Sequence, residues 1–169
     1  MSAPPLTPLA AAVLRVDPPP ERVLEVECGE GDGALFLARE FPAARVRGVD
    51  RSADRVRAAT ARVGLDPEGR VAFKEGSPSA LPYPDDFFDL VVQLDSRPAV
   101  AEVSRVLRRG GHLILVRSRS SPDTGRFAAW ILRRHLRRRG IELVETAAAG
   151  DGSFSVARLG GGVRSRGAD

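Results

Sequence analysis

Short apolar runs alternate along this chain with segments in which apolar residues return every three or four positions. The runs are rich in aliphatic and β-branched residues and predict buried strands, whereas the spacing between them predicts amphipathic helices. Before residue 120, strands are predicted at 21–27, 44–50, 71–76, 87–94 and 112–118. Helices are predicted between them at 33–41, 52–64 and 97–111, and a double glycine ends the last one. This alternation implies a parallel sheet with helices on both faces.

The C-terminal part of the chain departs from the alternation. After an arginine-rich helix predicted at 124–140, residues 141–147 and 153–159 predict a β-hairpin across the turn sequence AAGDG. We therefore expect an α/β fold, a doubly wound and mostly parallel seven-stranded sheet with a C-terminal antiparallel hairpin.

The ends of the chain define the expected domain organisation. Residues 1–20 form a Pro-rich lead with a short helix candidate at 6–14, and a run of three prolines closes it. Residues 21–160 are expected to form one folded domain, and 161–169 a flexible tail. The lead has no basic residue before its short apolar patch, which argues against a secretory signal peptide.

Composition limits the class of protein and its surroundings. With 43% hydrophobic and 28% charged residues, the 169-residue chain has the composition of a soluble globular domain, and no apolar run has the length of a membrane span. Cys28 is the single cysteine, so an internal disulfide is excluded and a cytoplasmic location is expected. His112 and His135 have no neighbouring His or Cys, so no metal site is predicted.

The basic charge of the chain comes almost wholly from arginine. The formal net charge is +4, and Lys74 is the only lysine among 26 basic residues. An excess of arginine over lysine more often reflects the nucleotide composition of the genome than a binding surface. A nucleic-acid partner stays open as an alternative, because basic faces attract phosphates, but the modest net charge does not establish it.

The stretch VLEVECGEGDG, at residues 23–33, is the predicted ligand-binding motif. It joins the first predicted strand to the first helix, and its alternating glycines allow a ligand to approach the backbone closely. Asp50 ends the second strand about 20 residues later, where a carboxylate can bind ribose hydroxyls. Gly29, Gly31 and Ala34 also satisfy a loose dinucleotide fingerprint, so a nucleotide-dependent oxidoreductase remains one alternative.

Four segments follow one another along the chain in a recognisable order. The first is the glycine loop, with Glu25 in the strand two residues before the loop begins. The others are the second strand, LPYPDDFFDLVV and EVSRVLRRGGHLILV. Together they resemble the class I S-adenosylmethionine-dependent methyltransferases, in particular the small-molecule, type 11-like branch, from about residue 22 to 116. The resemblance implies S-adenosylmethionine as cofactor, with Glu25 at its methionine amino group and Asp50 at its ribose. The other cofactor-binding residues it implies are Gly29, Gly31, Arg51, Ser77 and Gln93.

Glu27 also belongs to the predicted cofactor site, but the chain departs from the family pattern there, because the family usually has glycine at this position. If the strand continues, Glu27 lies on the same face as Glu25 and brings a like charge close to the cofactor carboxylate. That interpretation predicts weak cofactor binding. The alternative is that Glu27 turns outward and pairs with an arginine. Ser77 also stands where the family often has an acidic residue.

A second departure is the short segment 93–102, where the family usually has a longer loop and helix that help to form the substrate wall. We expect this edge to be covered by a second subunit or a partner protein, or else turnover to be weak. Asp95 is the candidate general base in the segment, with a turn or helix-capping role before Pro98 as the alternative. The predicted function is S-adenosylmethionine-dependent methyl transfer to a small-molecule acceptor. The second hypothesis is a methyltransferase-like binding or regulatory protein that has lost catalysis.

Overall fold

The computed structural model describes residues 6–64, 66, 68–119 and 126–160. The tail predicted at 161–169 lies outside the described residues. The helices are α1 Leu6–Val13, α2 Asp32–Glu40, α3 Ala53–Val63, α4 Val100–Val106 and α5 Arg126–Arg138. The strands are β1 Arg22–Val26, β2 Arg45–Asp50, β3 Val71–Glu75, β4 Phe88–Leu94, β5 Leu107–Ser118, β6 Ile141–Ala149 and β7 Gly152–Leu159.

The strands form one seven-stranded sheet in the order β3-β2-β1-β4-β5-β7-β6. The first five strands are parallel, and β7 is antiparallel to both of its neighbours, β5 and β6. This confirms the predicted doubly wound, mostly parallel sheet with a C-terminal antiparallel hairpin. The chain order changes direction between β1 and β4, so the carboxyl ends of these two strands form the switch point at which such sheets bind ligands.

The sheet is buried on both faces, because the alternating residues of its central strands pack against different helices. Val23 and Val46 belong to a core shared with Leu9 of α1 and Leu37 of α2. The residues that follow along the strands point the other way, into a core shared with α4 and α5 that includes Leu24, Val49, Val91, Val103 and Leu136. Burial on both faces explains why these strands read as continuous apolar runs in the sequence.

Helix α3 begins and ends where the sequence predicts. The Ser52 hydroxyl accepts a hydrogen bond from the Arg55 backbone N–H at 3.4 Å, which satisfies one of the free donors of the first turn. Gly64 follows the last helical residue with φ of 69°, a conformation that favours glycine. The cap and stop signals therefore placed this helix correctly.

The helix predicted at 97–111 is correct in its middle and wrong at both ends, because α4 begins only at Val100. Helix α4 ends at Val106, and Leu107 already belongs to β5, where it pairs with Phe88. Gly110 has φ of 78° and lies within the strand, next to a register shift between β4 and β5. The two glycines therefore form a strand irregularity rather than a helix stop, because burying Leu107 beside Phe88 outweighs the helical spacing.

The C-terminal hairpin is tighter than predicted. Strands β6 and β7 extend to Ala149 and Gly152, which leaves Gly150 and Asp151 as the two-residue turn. Gly150 has φ of 58°, as the favoured two-residue hairpin turns require. The alanines that were assigned to the turn continue the ladder instead, and β6 forms the edge of the sheet.

Candidate functional site

The candidate site lies at the carboxyl ends of β1, β2 and β4, where the loop from Glu27 to Gly31 leaves the sheet. Strand β1 ends at Val26, and Glu27, Gly29 and Gly31 have φ of 58°, 56° and 85°. The loop is closed by hydrogen bonds from Cys28 N–H to the Val49 carbonyl at 3.0 Å and from Gly31 N–H to the Cys28 carbonyl at 2.9 Å. Three left-handed residues in five turn the chain sharply from strand to helix.

The two predicted binding glycines differ in what surrounds them. A Cβ at Gly29 would face open space, so the backbone there is accessible to a ligand. A Cβ at Gly31 would lie 2.7 Å from the Phe73 ring, which packs beneath the loop. Gly29 therefore offers the approach surface, and Gly31 allows the loop to rest on the sheet.

Asp50 fastens this loop to the end of β2. Its carboxylate accepts the Gly29 N–H and the Ser52 N–H, both at 2.9 Å, and the side chain is buried. The Arg55 guanidinium lies 3.8 Å away. Each carboxylate oxygen keeps a further lone pair, so Asp50 can accept hydroxyl protons as well as hold the loop.

Glu25 is the most unusual group of the site. It is 2% exposed, and its Oε2 is the one buried side-chain polar atom without a hydrogen-bond partner among the described residues. The Ala34 backbone N–H donates to the carboxyl group, and Gly33 leaves the space it occupies, since a Cβ there would overlap Oε1. Burial, with smaller contributions from Asp32 and Asp50, raises the pKa of Glu25 to about 8. A buried, unpartnered carboxyl oxygen fits a cationic ligand group.

Glu27 adopts the alternative that pairs it with an arginine. The Arg51 guanidinium donates to Glu27 Oε1 at 2.5 Å, and the two side chains are 67% and 19% exposed. The prediction that Glu27 shares a face with Glu25 by strand alternation was wrong, because β1 ends at Val26 and Glu27 takes a left-handed conformation. The pair places two predicted cofactor residues, Glu27 and Arg51, in direct contact.

Gln93 is buried at the end of β4 and organises the segment that follows. Its Nε2 donates to Ser96 Oγ at 3.1 Å and to the Arg97 carbonyl at 3.2 Å, and its Oε1 accepts the Ala99 N–H at 2.9 Å. Gln93 is the register partner of Val26 on the neighbouring parallel strand β1, which places it beside the glycine loop. Its polar atoms therefore shape the start of α4, and a contact with a cofactor stays a prediction.

Ser77 and Asp95 lie in turns at the same edge of the sheet. Ser77 Oγ contacts Ser79 Oγ at 2.7 Å, just after Gly76, whose N–H donates to the Asp50 carbonyl at 3.0 Å. Asp95 has φ of 48°, and its Oδ1 accepts the Ser118 N–H at 2.6 Å. The Asp95 carboxylate thus joins the ends of β4 and β5, and its role as a general base stays a prediction.

Sequence reasoning missed two residues that support the loop. Phe73 packs under Gly31 and beside Gly48, which is its partner in the β2–β3 ladder. Arg62, at the end of α3, donates to the Glu30 carbonyl at 2.8 Å and to Asp32 at 2.6 Å. A glycine inside a strand pattern marks a close approach, so Gly48 was the available signal for Phe73. The spacing of the sequence carries no comparable signal for Arg62.

Cys28 is a packing residue of the loop. It is 5% exposed, and burial, reinforced by Glu25 and Asp50, raises the pKa of its thiol above the usual range. A reactive cysteine needs the opposite shift.

Within the described part of the chain, no group of three His, Cys, Asp or Glu side chains could hold a metal ion, and none of the described helices has the length and apolar character of a membrane span.

A large cavity lies away from this site. It measures about 1110 Å³, between α5 and the edge strand β6, and includes Trp130 and Val144 in its lining. None of the predicted site residues lines it. The glycine loop is therefore favoured as the functional site on chemistry and position, not on cavity size.

The chain is similar in sequence to known proteins. The family model described as "Methyltransferase domain" matches residues 23–111, which is 89 of 169 residues. A fatty-acid O-methyltransferase of Mycolicibacterium smegmatis is 36% identical over 110 residues, which cover 61% of this chain and 39% of that protein. The chain spans about two fifths of the length of the first curated relatives it matches.

Solved structures show the same fold at low identity. A chain from the complex of the Haloferax volcanii Trm112 methyltransferase activator is 18% identical, with a TM-score of 0.75, over 92% of this chain and 90% of that one. A SAM-dependent methyltransferase from Aquifex aeolicus is 21% identical, with a TM-score of 0.65, over 82% of this chain and 81% of that one. These likenesses concern the fold alone.

Proposed function

Because the chain belongs to the methyltransferase-domain family, we propose that it transfers a methyl group from S-adenosylmethionine to a small-molecule acceptor. The cofactor supplies a methyl group on a positively charged sulfonium sulfur, and its displacement needs alignment more than covalent help. The contribution of the protein is therefore to bind and orient.

The observation that carries the proposal is the buried Glu25 carboxyl group beside the glycine loop. Its unpartnered Oε2 is suited to a cation, and S-adenosylmethionine has an amino group and a sulfonium. Asp32 and Asp50 add acidic side chains around the same loop. This negative surrounding disfavours the diphosphate of a dinucleotide, which argues against the oxidoreductase alternative.

The remaining residues have roles that follow from their contacts. Gly29 would present its backbone to the cofactor, since nothing occupies the space beside it. Asp50 would accept ribose hydroxyl protons while it holds Gly29 and Ser52. Ser77 and Gln93 would lie at the adenine and methionine sides. Asp95 would accept a proton from the acceptor only if it leaves the Ser118 N–H.

Calorimetry with S-adenosylmethionine, S-adenosylhomocysteine and NAD tests the cofactor. The wild type should bind the first two and ignore NAD. Glu25→Gln should weaken S-adenosylhomocysteine binding by roughly 10- to 100-fold, since a hydrogen bond to a charged group is worth ~1.5–3 kcal/mol. Glu40→Gln, which removes an exposed carboxylate from the end of α2, is the matched control and should bind like the wild type. Binding of NAD without S-adenosylhomocysteine would refute the proposal.

A binding or regulatory protein without catalysis is the second candidate. It is favoured by the Glu27–Arg51 ion pair at the position of a family glycine and by the engagement of Asp95 with Ser118. An assay of S-adenosylhomocysteine release with carboxylic acids and phenols as acceptors separates the two candidates. Cofactor binding without product from any acceptor, in the wild type and in Glu27→Gly, favours the non-catalytic protein.

We also propose that a second subunit or a partner protein covers the segment 93–102. The solved neighbour that contains a methyltransferase activator supports a protein partner for this fold. The segment from Asp95 to Ala99 is irregular and partly exposed, which is consistent with an incomplete substrate wall. Light scattering at increasing concentration tests for a dimer, and Arg97→Glu should weaken it. A monomer that turns over small acceptors rapidly would count against any cover.

A further inference from the structure

The opposite edge of the sheet, at the amino ends of β1, β2 and β4, carries a second concave site. A cavity of about 460 Å³ is lined there by Arg22, Arg45 and Arg47, with the side chains of Glu21, Ala43, Phe87 and Phe88 completing it. The glycine loop leaves β1 at its other end, so this site is separate from the candidate cofactor site.

The strand register forces the three arginines together. Arg22 is the ladder partner of Arg45 on the neighbouring parallel strand. Arg47 follows two residues later on β2 and therefore points to the same face. Like charges directly opposite each other in a sheet destabilise it, so this arrangement has an electrostatic cost in the free protein.

Two of these guanidinium groups are held by uncharged partners. The Arg47 guanidinium donates to the carbonyls of Val46 and Arg70 at 3.0 and 2.9 Å. The Arg22 guanidinium lies over the Phe87 ring, 4.6 Å from its centroid. Fixed donors of this kind are preorganised to bind an anion, because little side-chain freedom is lost on binding.

Many other arginines in the described part of the chain, unlike these three, are paired with carboxylates. Among the described residues, Arg15, Arg51, Arg55, Arg57, Arg62, Arg70, Arg105 and Arg108 lie within 4.0 Å of a carboxylate. Within the same described part of the chain, none of the three arginines of this cavity has such an ion pair. Glu21 is the one acidic residue in the lining, so the lining residues carry an excess of two positive charges. Outside the lining, the Asp89 carboxylate accepts the backbone N–H groups of Glu21 and Arg22 and is paired with Arg108. Arg47 also helps to lower the pKa of Asp66.

We propose that this cavity is an anion site for the phosphate group of a small ligand. Arginine binds phosphate through two parallel hydrogen bonds, and three guanidinium groups match the charge of a phosphate monoester or a pyrophosphate. The volume has the size of ordinary small-ligand pockets, and the buried Phe88 side chain closes one wall. Glu21 opposes the anion and sets its affinity.

Thermal unfolding with inorganic pyrophosphate and with AMP, at constant ionic strength, tests the proposal. Saturating pyrophosphate should raise the Tm of the wild type by about 5–10 °C. Arg45→Gln should lose most of this rise, and Glu21→Gln should increase it. Arg39→Gln, which removes an exposed arginine of α2, is the matched control and should keep the full rise. A rise by AMP equal to that by pyrophosphate indicates a monoester site with room for an organic body, and a smaller one indicates a pyrophosphate site.

A second measurement needs no ligand. In low salt without added phosphate, Arg45→Gln should have a higher Tm than the wild type, because it removes the charge opposite Arg22, and added salt should abolish the difference. Equal pyrophosphate shifts in the wild type, Arg45→Gln and Arg39→Gln would overturn the proposal and place the anion elsewhere, for example at the glycine loop. The absence of any shift in the wild type would overturn it as well. Neither outcome depends on the proposed methyl transfer.

Discussion

Replacing Glu25 by glutamine should stabilise the fold at alkaline pH while it weakens cofactor binding. Glu25 is buried, and its Oε2 has no hydrogen-bond partner. Its pKa is raised to about 8 in the folded protein, from an ordinary value of 4.5. Folding therefore favours the neutral acid. The resulting stability is fully present below pH 4.5 and is lost as the pH rises to about 8.

The magnitude follows from the pKa shift. Each pH unit between the two pKa values changes the free energy of unfolding by ~1.36 kcal/mol, and the slope falls off near the folded pKa, so the wild type should lose about 2 kcal/mol between pH 6 and pH 8 through this group alone. Glu25→Gln does not titrate and keeps nearly the same shape. The difference in unfolding free energy, variant minus wild type, should therefore grow by about 2 kcal/mol over this range, which is roughly 4–8 °C in Tm.

Thermal unfolding of both proteins at pH 6, 7, 8 and 9 measures this difference, and other titrating groups cancel because the two proteins share them. The ionisable groups that act on Glu25 or lie beside it are Asp32, Asp50 and Cys28, and all three are present in both proteins. Glu40→Gln is again the control and should show no growing difference. A difference between Glu25→Gln and the wild type that stays constant from pH 6 to pH 9 would refute the buried, neutral Glu25.

Three further changes test other contacts of the site. Glu27→Gly should tighten S-adenosylhomocysteine binding by no more than about fivefold, because Arg51 already neutralises Glu27 and the remaining repulsion of the cofactor is worth ~1 kcal/mol or less. Arg51→Gln should weaken binding in the wild type and leave it unchanged in the Glu27→Gly background. Equal affinities of all these proteins in calorimetry would show that Glu27 does not affect binding. Asp50→Ala should weaken the same binding by roughly 10- to 100-fold, because a hydrogen bond to a charged group is worth ~1.5–3 kcal/mol; an affinity like that of the wild type would remove Asp50 from the site. Gly48→Ala should destabilise the fold by ~1–3 kcal/mol in chemical denaturation, because its Cβ would overlap the Phe73 ring and lie 2.8 Å from Cys28 Sγ, and Phe73→Leu should relieve part of that cost.

The order and type of most elements could be predicted because local pattern and global packing agree. Ser52 and Gly64 bound α3, since a cap and a left-handed stop are local requirements of the helix backbone. The apolar runs became central strands because burial on both faces needs continuous apolar residues. The glycine loop fell at the switch point for the same reason, since the chain order alone places the end of β1 there.

The helix boundary at Leu107 could not be predicted from the sequence. Its spacing continues the helical pattern of α4, and only the neighbouring strand β4 provides Phe88 as a partner. Pairing between residues about 20 positions apart decided the state of this segment, which local propensity cannot report.

The site divides in the same way. The residue types at Glu25, Gly29 and Asp50 were visible in the sequence, because their spacing along a strand–loop–helix unit is itself the signal. The conformation of Glu27 was not visible in the sequence, because the apolar pattern allows the strand to end at either Val26 or Glu27. Only the tertiary structure shows that the strand ends at Val26 and that Arg51 contacts Glu27. The meeting of Arg22, Arg45 and Arg47 likewise required the register between β1 and β2. Sequence spacing thus determined which groups stand along each element, and tertiary structure decided which charges face one another, because that depends on strand order and register rather than on neighbours in the chain.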